Sequence, residues 1–439
     1  MTQQGSRLLS LVDESLIAAC LLAAVLAGCA SPVPPGSPGP IATSALSGPR
    51  FASGGPDAEG YGAGNGYPVG DRTNWYLIPF LVGSYSHLDQ ILEGRLIRRA
   101  TTPSRLSRVA SEPTVHYEYT GETLTLDHYL ARNPTTGLII ARGDTLLVER
   151  YQYARNDRHR FASWSMAKIV TAMLVGIAIA EGRIHSVDDA AASYVSELAG
   201  TEYGRTPLRH LLQMSSGVRF DEHYSGRDDL TRLLRETIDQ VGPGGVDAVK
   251  PYNERVRPSG TVFSYASAET QVLGLVLRSA VRRPIADYFQ EKIWEPIGAE
   301  ADATWLIDRS GQEATWCCLN AVLRDYARLG LLLAHGGNWR GRQLIPADWI
   351  EEATRVRPDQ PHLLPGVADP FSGYGYQVRI FSSIRRTFAV SGAHGQWMFV
   401  DPASRLVMVH TAVRKQPGDP GERETVVLWR GVVQGLGNN

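Results

Sequence analysis

The sequence has little lysine and almost no net charge. Only four of its 44 basic residues are lysines, namely Lys168, Lys250, Lys292 and Lys415. Chance Ser-x-x-Lys matches therefore become rare, and Ser165–Lys168 is the one such motif in the chain. The formal net charge of −1 gives no reason to expect a nucleic-acid partner. At 439 residues, 43% of them hydrophobic, the chain is long enough for one large globular domain or two.

Cysteine is also scarce, with four residues in the chain. Cys20 and Cys29 lie in or directly after an N-terminal apolar run, whereas Cys317 and Cys318 are neighbours. Adjacent cysteines rarely bridge each other, because the geometry of a disulfide strains the peptide between them. We expect Cys317 and Cys318 to be buried free residues without a redox role, and the spacing of potential ligands implies neither a metal nor a cofactor.

The N-terminal apolar run "LIAACLLAAVLAG", residues 16 to 28, is too short to span a bilayer as an anchor helix. It indicates an export signal instead. The run ends in "LAGC", which has the form of a bacterial lipobox, in which Cys29 would be acylated. Ordinary signal-peptide cleavage nearby, or a start codon assigned too early, are the alternatives. We expect an exported protein, periplasmic or at the cell surface, held to the membrane by a lipid on Cys29.

Composition divides the chain into three parts. Residues 1–28 are interpreted as the signal peptide, and residues 29–70, rich in Pro, Gly, Ser and Ala, as a flexible linker. Residues 71–439 form the predicted folded domain, in which β-rich runs at both ends enclose helical periodicity from about 165 to 320. The predicted fold is α/β (α+β), with an antiparallel sheet flanked by helices, an all-helical region, and an active site between them.

Ser165 and Lys168 stand at the start of an apolar helix that is predicted to end at Gly182. A lysine at i+3 lies one turn along the same face, so its amine can reach the serine hydroxyl. Partial desolvation at this position lowers the pKa of a lysine toward that of a useful base. A helix N-terminus also favours negative charge near the serine. Taken alone, the pair has an alternative, structural interpretation, in which Ser165 caps the helix and the Lys168 side chain extends to the surface.

Two further segments carry possible chemistry. "FSYASAET" places Tyr265 and Ser267 before an apolar helix, where a tyrosine could relay a proton. "SGAHGQWMFVDP" supplies a glycine-containing turn at a strand edge, which could add a backbone N–H to an oxyanion hole. The chain contains neither a Gly-x-Ser-x-Gly nor a His-Glu-x-x-His motif. We interpret "DEHY", residues 221–224, as a loop near the cleft mouth rather than a metal site.

In their order along the chain, these motifs resemble those of the serine β-lactamase and penicillin-binding-protein superfamily. The resemblance covers the chain from about residue 130 to its end and is to the group of class C β-lactamases, D,D-carboxypeptidases and related esterases. Three stretches resemble one branch of it, the 6-aminohexanoate-dimer (nylon-oligomer) hydrolases: "YASAETQVLGLVLR", "CCLNAVLRDYARLG" and "AHGQWMFVDPASRLVMV".

The resemblance implies a role for each motif residue. Ser165 would be the acylated nucleophile, Lys168 the general base and Tyr265 the proton relay to the leaving group. The backbone N–H groups of Ser165 and Ala393 would form the oxyanion hole. The substrate-binding residues would be Ser267, His394, Gly395 and Gln396.

The chain departs from the family pattern at several of these positions. Ser267 stands where class C β-lactamases carry asparagine, and "AHG" replaces their Lys-Thr-Gly. The cation that would receive a substrate carboxylate is therefore missing unless His394 is protonated. Both departures favour an esterase or amidase over a β-lactamase. Val378 and Arg379 stand where the amide-cleaving nylon-oligomer hydrolases carry tryptophan, which argues against amidase activity on that dimer.

We therefore predict an exported serine hydrolase that cleaves a small-molecule ester or amide through an acyl-enzyme. A D,D-carboxypeptidase or a class C-like β-lactamase is the alternative among enzymes. A catalytically idle relative that binds envelope ligands in the same cleft is the alternative of another class. The intact serine, lysine and tyrosine argue against that idle relative, because a pure binder needs no buried base beside a serine.

Overall fold

A computed structural model describes residues 48–381 and 385–437. The predicted signal peptide, Cys29 and the first part of the linker lie outside the described residues, so what was predicted for them stays a prediction. All described residues belong to one compact unit, Ala45–Asn439. Within the described ranges, no helix has both the length and the apolar character needed to cross a bilayer.

Seventeen strands occur in the described residues. In chain order they are β1 Arg50–Phe51, β2 Gly94–Ile97, β3 Ser107–Arg108, β4 His116–Tyr119, β5 Glu122–Thr125, β6 Thr135–Arg142, β7 Thr145–Tyr151, β8 Arg160–Ala162, β9 Ala303–Leu306, β10 Leu319–Val322, β11 Asn338–Trp339, β12 Arg342–Gln343, β13 Ser372–Tyr374, β14 Arg379–Phe381, β15 Thr387–Gly392, β16 Gln396–Asp401 and β17 Leu406–Ala412.

Eleven α-helices accompany them in the same part of the chain, and short 3₁₀ turns connect several elements. The helices are α1 Leu81–Tyr85, α2 Leu88–Ile91, α3 Leu126–Arg132, α4 Ala167–Ala180, α5 Leu208–Leu212, α6 Asp229–Thr237, α7 Ser267–Val281, α8 Ile285–Phe289, α9 Leu323–Ala334, α10 Ala347–Ala353 and α11 Glu422–Leu436.

The main sheet has nine strands and is built from both ends of the chain. Its order is β1–β7–β6–β17–β16–β15–β14–β13, with β3 also paired to β7. Pairing is antiparallel from β7 through to β13, whereas β1 and β3 lie parallel to β7. The N-terminal hairpin β6–β7 thus joins the C-terminal strands β15–β17. The predicted antiparallel sheet, flanked by helices, is confirmed.

Alternating side chains place this sheet between two helical layers. Ile140, Phe399 and Met408 point to one face and form a buried cluster with residues of α3 and α11. Ile139 and Val407 point to the opposite face and join the larger core, which contains α4, α7 and α9. Strands with apolar residues on both sides are expected where a sheet is covered twice. The reactive side chains described below lie where this second layer meets the end of β15.

The region predicted to be all-helical, about 165 to 320, is only partly so. It contains β9 and β10, which join β2 and β8 in a four-stranded sheet of order β2–β9–β10–β8. The prediction was wrong here because a segment of four residues is too short to show a periodicity that separates a buried strand from a helix turn. Both strands are fully buried, so their side chains show no alternation of polar and apolar residues.

The predicted flexible linker, residues 29–70, is wrong for its described part from residue 48 onward. Strand β1 pairs with β7, and the Tyr61 side chain is buried, with its hydroxyl donating to the Val413 carbonyl at 2.6 Å. The Tyr67 hydroxyl donates to the Ser53 carbonyl at 2.8 Å. The composition of this segment led to the wrong prediction because two tyrosines among the small residues are enough to fix it. Their rings supply buried apolar area, and their hydroxyls donate hydrogen bonds.

The prediction for the adjacent cysteines also needs correction. A disulfide joins Cys317 and Cys318, so they are not free thiols. Both are fully buried, as expected. Cys318 has a φ of 71°, and this left-handed conformation reverses the chain, which lets the two side chains meet where an extended dipeptide would hold them apart.

The packing of residues 48–70 predicts a loss of stability on truncation. A chain that starts at residue 71 lacks β1 and the buried Tyr61 and Tyr67. We expect its free energy of unfolding to fall by about 3 kcal/mol or more, since burying one large apolar side chain contributes about 1.5–3 kcal/mol. Denaturant unfolding of this chain and of a matched chain that starts at residue 48 measures the difference. Equal transition midpoints would contradict the packing.

Candidate active site

The turn that carries Ser165 has an unusual backbone. Ser165 lies in a 3₁₀ turn, Trp164–Met166, directly before α4. Trp164 has a φ of 45°, which is rare for a residue with a large side chain. Its indole packs on Trp75, with ring centres 6.0 Å apart, and against Tyr85 at 5.5 Å. Such a conformation persists only where surrounding packing holds it, so these aromatic rings fix the direction of the nucleophile.

Lys168 is the second residue of α4, three positions after Ser165, and is almost completely buried, at 1% exposure. Its Nζ is 2.8 Å from Ser165 Oγ, 3.0 Å from Ser267 Oγ and 2.8 Å from the Trp316 carbonyl oxygen. α4 is apolar on nearly every face, as predicted. The amine therefore depends on these three partners for its hydrogen bonds. The predicted pairing of Ser165 with Lys168 is present in the structure.

Burial sets the acidity of this amine. Desolvation lowers the pKa of Lys168 to about 7, because the charged form loses its hydration, while the nearby carboxylate of Glu222 acts in the opposite direction. A neutral amine has two N–H donors and one lone pair. Those two donors match Ser267 Oγ and the Trp316 carbonyl, which leaves the lone pair directed at the Ser165 hydroxyl. The site therefore suits a lysine that accepts a proton from serine.

Tyr265 stands on the other side of the nucleophile. Tyr265 lines the same small space as Ser165 and Lys168, and its ring centre lies 5.1 Å from Lys168 Nζ. Burial, reinforced by the negative charge of Glu222, raises the pKa of Tyr265. The phenol therefore keeps its proton near neutral pH and can donate it. Tyr374 packs edge-on against this ring, with centres 6.3 Å apart.

Glu222 is a member of the site that the sequence analysis missed. Its Oε2 accepts the backbone N–H of Ser267 at 2.8 Å, and its Oε1 accepts the Ser267 hydroxyl at 3.0 Å. Ser267 thus links the carboxylate to Lys168. The segment "DEHY" was interpreted as a loop near the cleft mouth, and no local pattern shows that one carboxylate of an irregular loop turns inward.

The predicted oxyanion turn lies against the nucleophile. Gly392 ends β15, and its backbone is so close to the Ser165 turn that a Cβ added there would lie 2.4 Å from the Ser163 carbonyl oxygen and 3.0 Å from Ser165 N. Ala393 follows directly. The structure therefore places the turn that begins with Ala393 next to the Ser165 turn, and the oxyanion hole of the Ser165 and Ala393 N–H groups stays a prediction.

The other residues of this turn hold it in place. The Nδ1 atom of His394 is 2.6 Å from the Arg414 carbonyl oxygen, and burial lowers the pKa of His394. A neutral His394 cannot serve as the missing cation. Gln396 donates to the carbonyl of Ala412 at 2.7 Å, while the Gly395 carbonyl accepts from His410. Ser267 contacts Lys168, but the polar side chains of His394 and Gln396 bind within the turn rather than facing Ser165.

A cation does stand beside the nucleophile, on the neighbouring strand. Arg379, at the start of β14, lines the small space around Ser165 together with Tyr374 and Ser391. Its Nη1 is 3.0 Å from Asp369, and its Nε is 3.2 Å from Ser391 Oγ. The sequence analysis noted Arg379 only as a departure from tryptophan.

A second, larger cavity of about 550 Å³ lies between the outer strands of the sheet and α11. Arg379 and Ser391 line both the cavity and the space around Ser165. Its walls combine aromatic and aliphatic side chains with charged ones. They include Phe371, Phe381, Trp397, Val426, Asp369 and Glu422.

An acylatable serine held by a buried lysine, with a protonated tyrosine opposite, defines a Ser-x-x-Lys serine hydrolase. A family model described as "Beta-lactamase" matches residues 124–430, and the chain belongs to that family. The predicted family resemblance and fold class are therefore confirmed, and membership supports the prediction of a serine hydrolase.

Individual relatives agree with this assignment. The 6-aminohexanoate-dimer hydrolase of Paenarthrobacter ureafaciens is 25% identical over 384 residues, which cover 85% of this chain and 94% of that enzyme. The structure of a putative 6-aminohexanoate-dimer hydrolase from Bacillus anthracis is similar with a TM-score of 0.75, at 24% identity, over 84% of this chain and 97% of that one. A family VIII carboxylesterase has the same fold, with a TM-score of 0.53 at 18% identity, over 69% and 93% of the two chains.

The close approach of Gly392 to the Ser165 turn predicts that any side chain there damages catalysis. We expect Gly392→Ala to lower kcat/KM for an ester about 100-fold, because a shift of about 1 Å at reacting groups costs that much. Gly435→Ala in α11, where a Cβ meets nothing within 4 Å, is the matched control. Steady-state kinetics of both variants measures the effect, and equal kcat/KM values would show that the turn does not shape the site.

Proposed function

We propose that this protein hydrolyses an ester or amide of a small molecule through an acyl-enzyme on Ser165. The observation that carries this proposal is the 2.8 Å contact between the buried Lys168 amine and Ser165 Oγ, with Tyr265 lining the same space beside both residues. The named relatives, a 6-aminohexanoate-dimer hydrolase and a carboxylesterase, act on bonds of these two kinds. A pure binding protein has no use for a serine held in this way.

The reaction follows from the positions of the groups. Ser165 Oγ attacks the carbonyl carbon while its proton moves to Lys168 Nζ, and the backbone N–H groups of Ser165 and Ala393 stabilise the oxyanion. The Tyr265 hydroxyl gives its proton to the leaving alcohol or amine and regains one from Lys168. Water then attacks the acyl-enzyme by the same route in reverse and frees the acid.

We further propose that one side of the substrate occupies the cavity of about 550 Å³ beside Arg379. The space directly around Ser165 measures only about 10 Å³, which is too small for an acyl group. Aromatic and aliphatic walls with placed polar groups are typical of small-molecule sites, and this cavity combines such walls with charged side chains, among them Asp369, Arg379 and Glu422.

Arg379 is the observation that favours a second candidate, a D,D-carboxypeptidase or class C-like β-lactamase. Both act on substrates with a carboxylate, and a guanidinium beside the nucleophile can bind one. Asp369 already pairs with Arg379, which weakens this candidate. Turnover of a peptide ending in D-Ala-D-Ala or of a cephalosporin, but not of simple esters, would favour it.

Trapping the acyl-enzyme tests the proposed function directly. After brief exposure to a short-chain nitrophenyl ester, intact-protein mass should show one added acyl group on the wild type and none on Ser165→Ala. Hydrolysis by Ser165→Ala should fall by about 1,000-fold or more, the scale at which loss of a nucleophile acts. Adduct formation that persists in Ser165→Ala would place the nucleophile elsewhere.

The acidity of Lys168 predicts the pH dependence of the reaction. Only the neutral amine can accept the serine proton, and burial lowers the pKa of Lys168 to about 7. We expect kcat/KM for an ester to fall as the pH decreases through about 7, tenfold per pH unit below it, because kcat/KM reports the free enzyme. A rate that stays constant down to pH 5 would mean that Lys168 is not the base.

We also propose that the protein is exported and anchored by a lipid on Cys29. The apolar run of residues 16–28 and the "LAGC" that ends it support this proposal. Fractionation of cells that express the wild type and Cys29→Ala tests it. Lipid attachment predicts membrane association of the wild type and its loss in the variant, whereas plain export predicts equal, soluble distributions.

A further inference from the structure

We propose that Glu222 acts as the carboxylate of an extended Ser165–Lys168–Ser267–Glu222 relay and positions Lys168 for proton transfer. This inference rests on the proposed function and assigns a residue that no motif of the sequence carries. The role is that of a positioning residue, because Glu222 acts on the nucleophile only through Ser267 and Lys168.

The contacts form one unbroken chain. Lys168 Nζ lies 2.8 Å from Ser165 Oγ and 3.0 Å from Ser267 Oγ, so the lysine joins the two hydroxyls. A hydroxyl that accepts from Lys168 has its own proton free to donate, and Glu222 Oε1 stands 3.0 Å away to receive it. The second oxygen of Glu222 accepts the Ser267 N–H at 2.8 Å. Two bonds to one residue leave the carboxylate a single orientation.

A second carboxylate, that of Asp228, fixes the loop that carries Glu222. Asp228, at the N-cap of α6, accepts the backbone N–H groups of His223 at 2.9 Å and Ser225 at 3.2 Å. Two bonds from Thr231, together with those from Ser225 and His223, lower the pKa of Asp228 against the effect of its burial, so it stays charged. The position of Glu222 is therefore built into the loop and does not depend on a bound ligand.

Charge supplies the physical reason for the relay. When Ser165 attacks, its Oγ forms a bond to the carbonyl carbon, the carbonyl π electrons move to oxygen, and the serine proton moves to Lys168 Nζ. The buried lysine becomes an ammonium ion at the moment of attack, which desolvation opposes. Burial raises the pKa of Glu222, whereas the Lys168 charge and the two bonds from Ser267 favour its carboxylate form. As a carboxylate, Glu222 stabilises the ammonium through Ser267. An orienting carboxylate stabilises a buried imidazolium by the same logic in the Ser-His-Asp triad.

Other titratable groups near this pair do not substitute for Glu222. They are Asp228 and the four tyrosines Tyr203, Tyr224, Tyr265 and Tyr374. Burial raises the pKa of each tyrosine, so all four stay neutral in the range where Lys168 titrates. Burial is the main cause that raises the pKa of Glu222, and Asp228 adds to it. Arg379 lowers the pKa of Tyr265 against the effect of burial. Glu222 is thus the group whose negative charge acts on the pKa of Lys168.

Glu222→Gln tests the proposal by removing the charge with little change of shape. Two effects are expected. The maximal kcat/KM should fall about 10-fold or more, a loss smaller than that of a general base itself. The acid limb of the pH profile should shift to lower pH. Loss of the carboxylate leaves the ammonium form less stable, so the amine deprotonates at lower pH. Ser267→Ala, which breaks the relay but keeps Glu222, should shift the acid limb in the same direction.

Asp221→Asn is the matched control, since it removes one carboxylate from the same loop at a position that is about half exposed. Its acid limb should coincide with that of the wild type. Glu222→Asp, which keeps the charge, should restore part of the rate. If Glu222 had only a structural role, its loss would lower the rate or the melting temperature without moving the acid limb. An unmoved acid limb in both Glu222→Gln and Ser267→Ala would overturn the proposal.

A measurement without substrate separates this proposal from the proposed function. The chain has four lysines, so ¹³C labelling at lysine Cε gives four signals, and Lys168→Met identifies the one that belongs to the site. That signal should titrate near neutral pH in the wild type and at lower pH in Glu222→Gln, or in Ser267→Ala where Glu222→Gln does not fold. Equal titration in wild type and variant overturns the relay, whether or not any ester is hydrolysed.

Discussion

The desolvation of one amine governs the arrangement of this site. Lys168 lies in an apolar helix and makes three polar contacts, each to a different element of the fold. One partner is the nucleophile itself, one begins α7, and one belongs to the turn before β10. An amine buried with fewer partners would destabilise the fold, because an unpaired polar group in a dry interior costs about 1–3 kcal/mol. The helical region, the second sheet and the nucleophile turn meet at this point, and their contacts with the amine offset the cost of burying it.

The chemistry of the acyl donor is decided on the opposite side of the cleft, by the sheet. The pairing of β14 with β15 ends at Arg379 and Ala389. The rest of β15, up to Gly392, is therefore not paired with β14 and presents its edge toward Ser165. His394, in the turn that follows, is neutral and bonded away from the nucleophile. Positive charge thus reaches the cleft from the neighbouring strand and not from the turn. Because Asp369 shares that charge, the cleft is less selective for anions than a free cation would make it.

Sequence reasoning recovered what local patterns encode. Lys168 and Tyr265 were found because a spacing of three places two side chains on one helix face, and because a motif marks the start of α7. The hairpin of β6 and β7, the buried helix α4 and the strands β15–β17 follow from periodicity and turn residues. Glu222 and Arg379 were not assigned to the site, since their roles depend on how an irregular loop and a three-residue strand fold back over a distance of many residues. β9, β10 and the disulfide were missed for a similar reason: each depends on a tertiary environment that four apolar residues, or two adjacent cysteines, do not specify.

The aromatic rings behind Trp164 have a consequence for modularity. The family match begins at residue 124, yet Trp75 and Tyr85, which hold the left-handed Trp164 in place, come before it. In this chain the shared catalytic core is not self-sufficient, because part of the scaffold for its nucleophile is supplied by a segment that the family description leaves out. A chimera that replaces the residues before 124 with a segment lacking these two rings would keep every reacting group, and we expect it to lose the packing that holds Trp164 beside Ser165. A catalytic unit taken from this chain must therefore include Trp75 and Tyr85 as well as the residues that the family model matches.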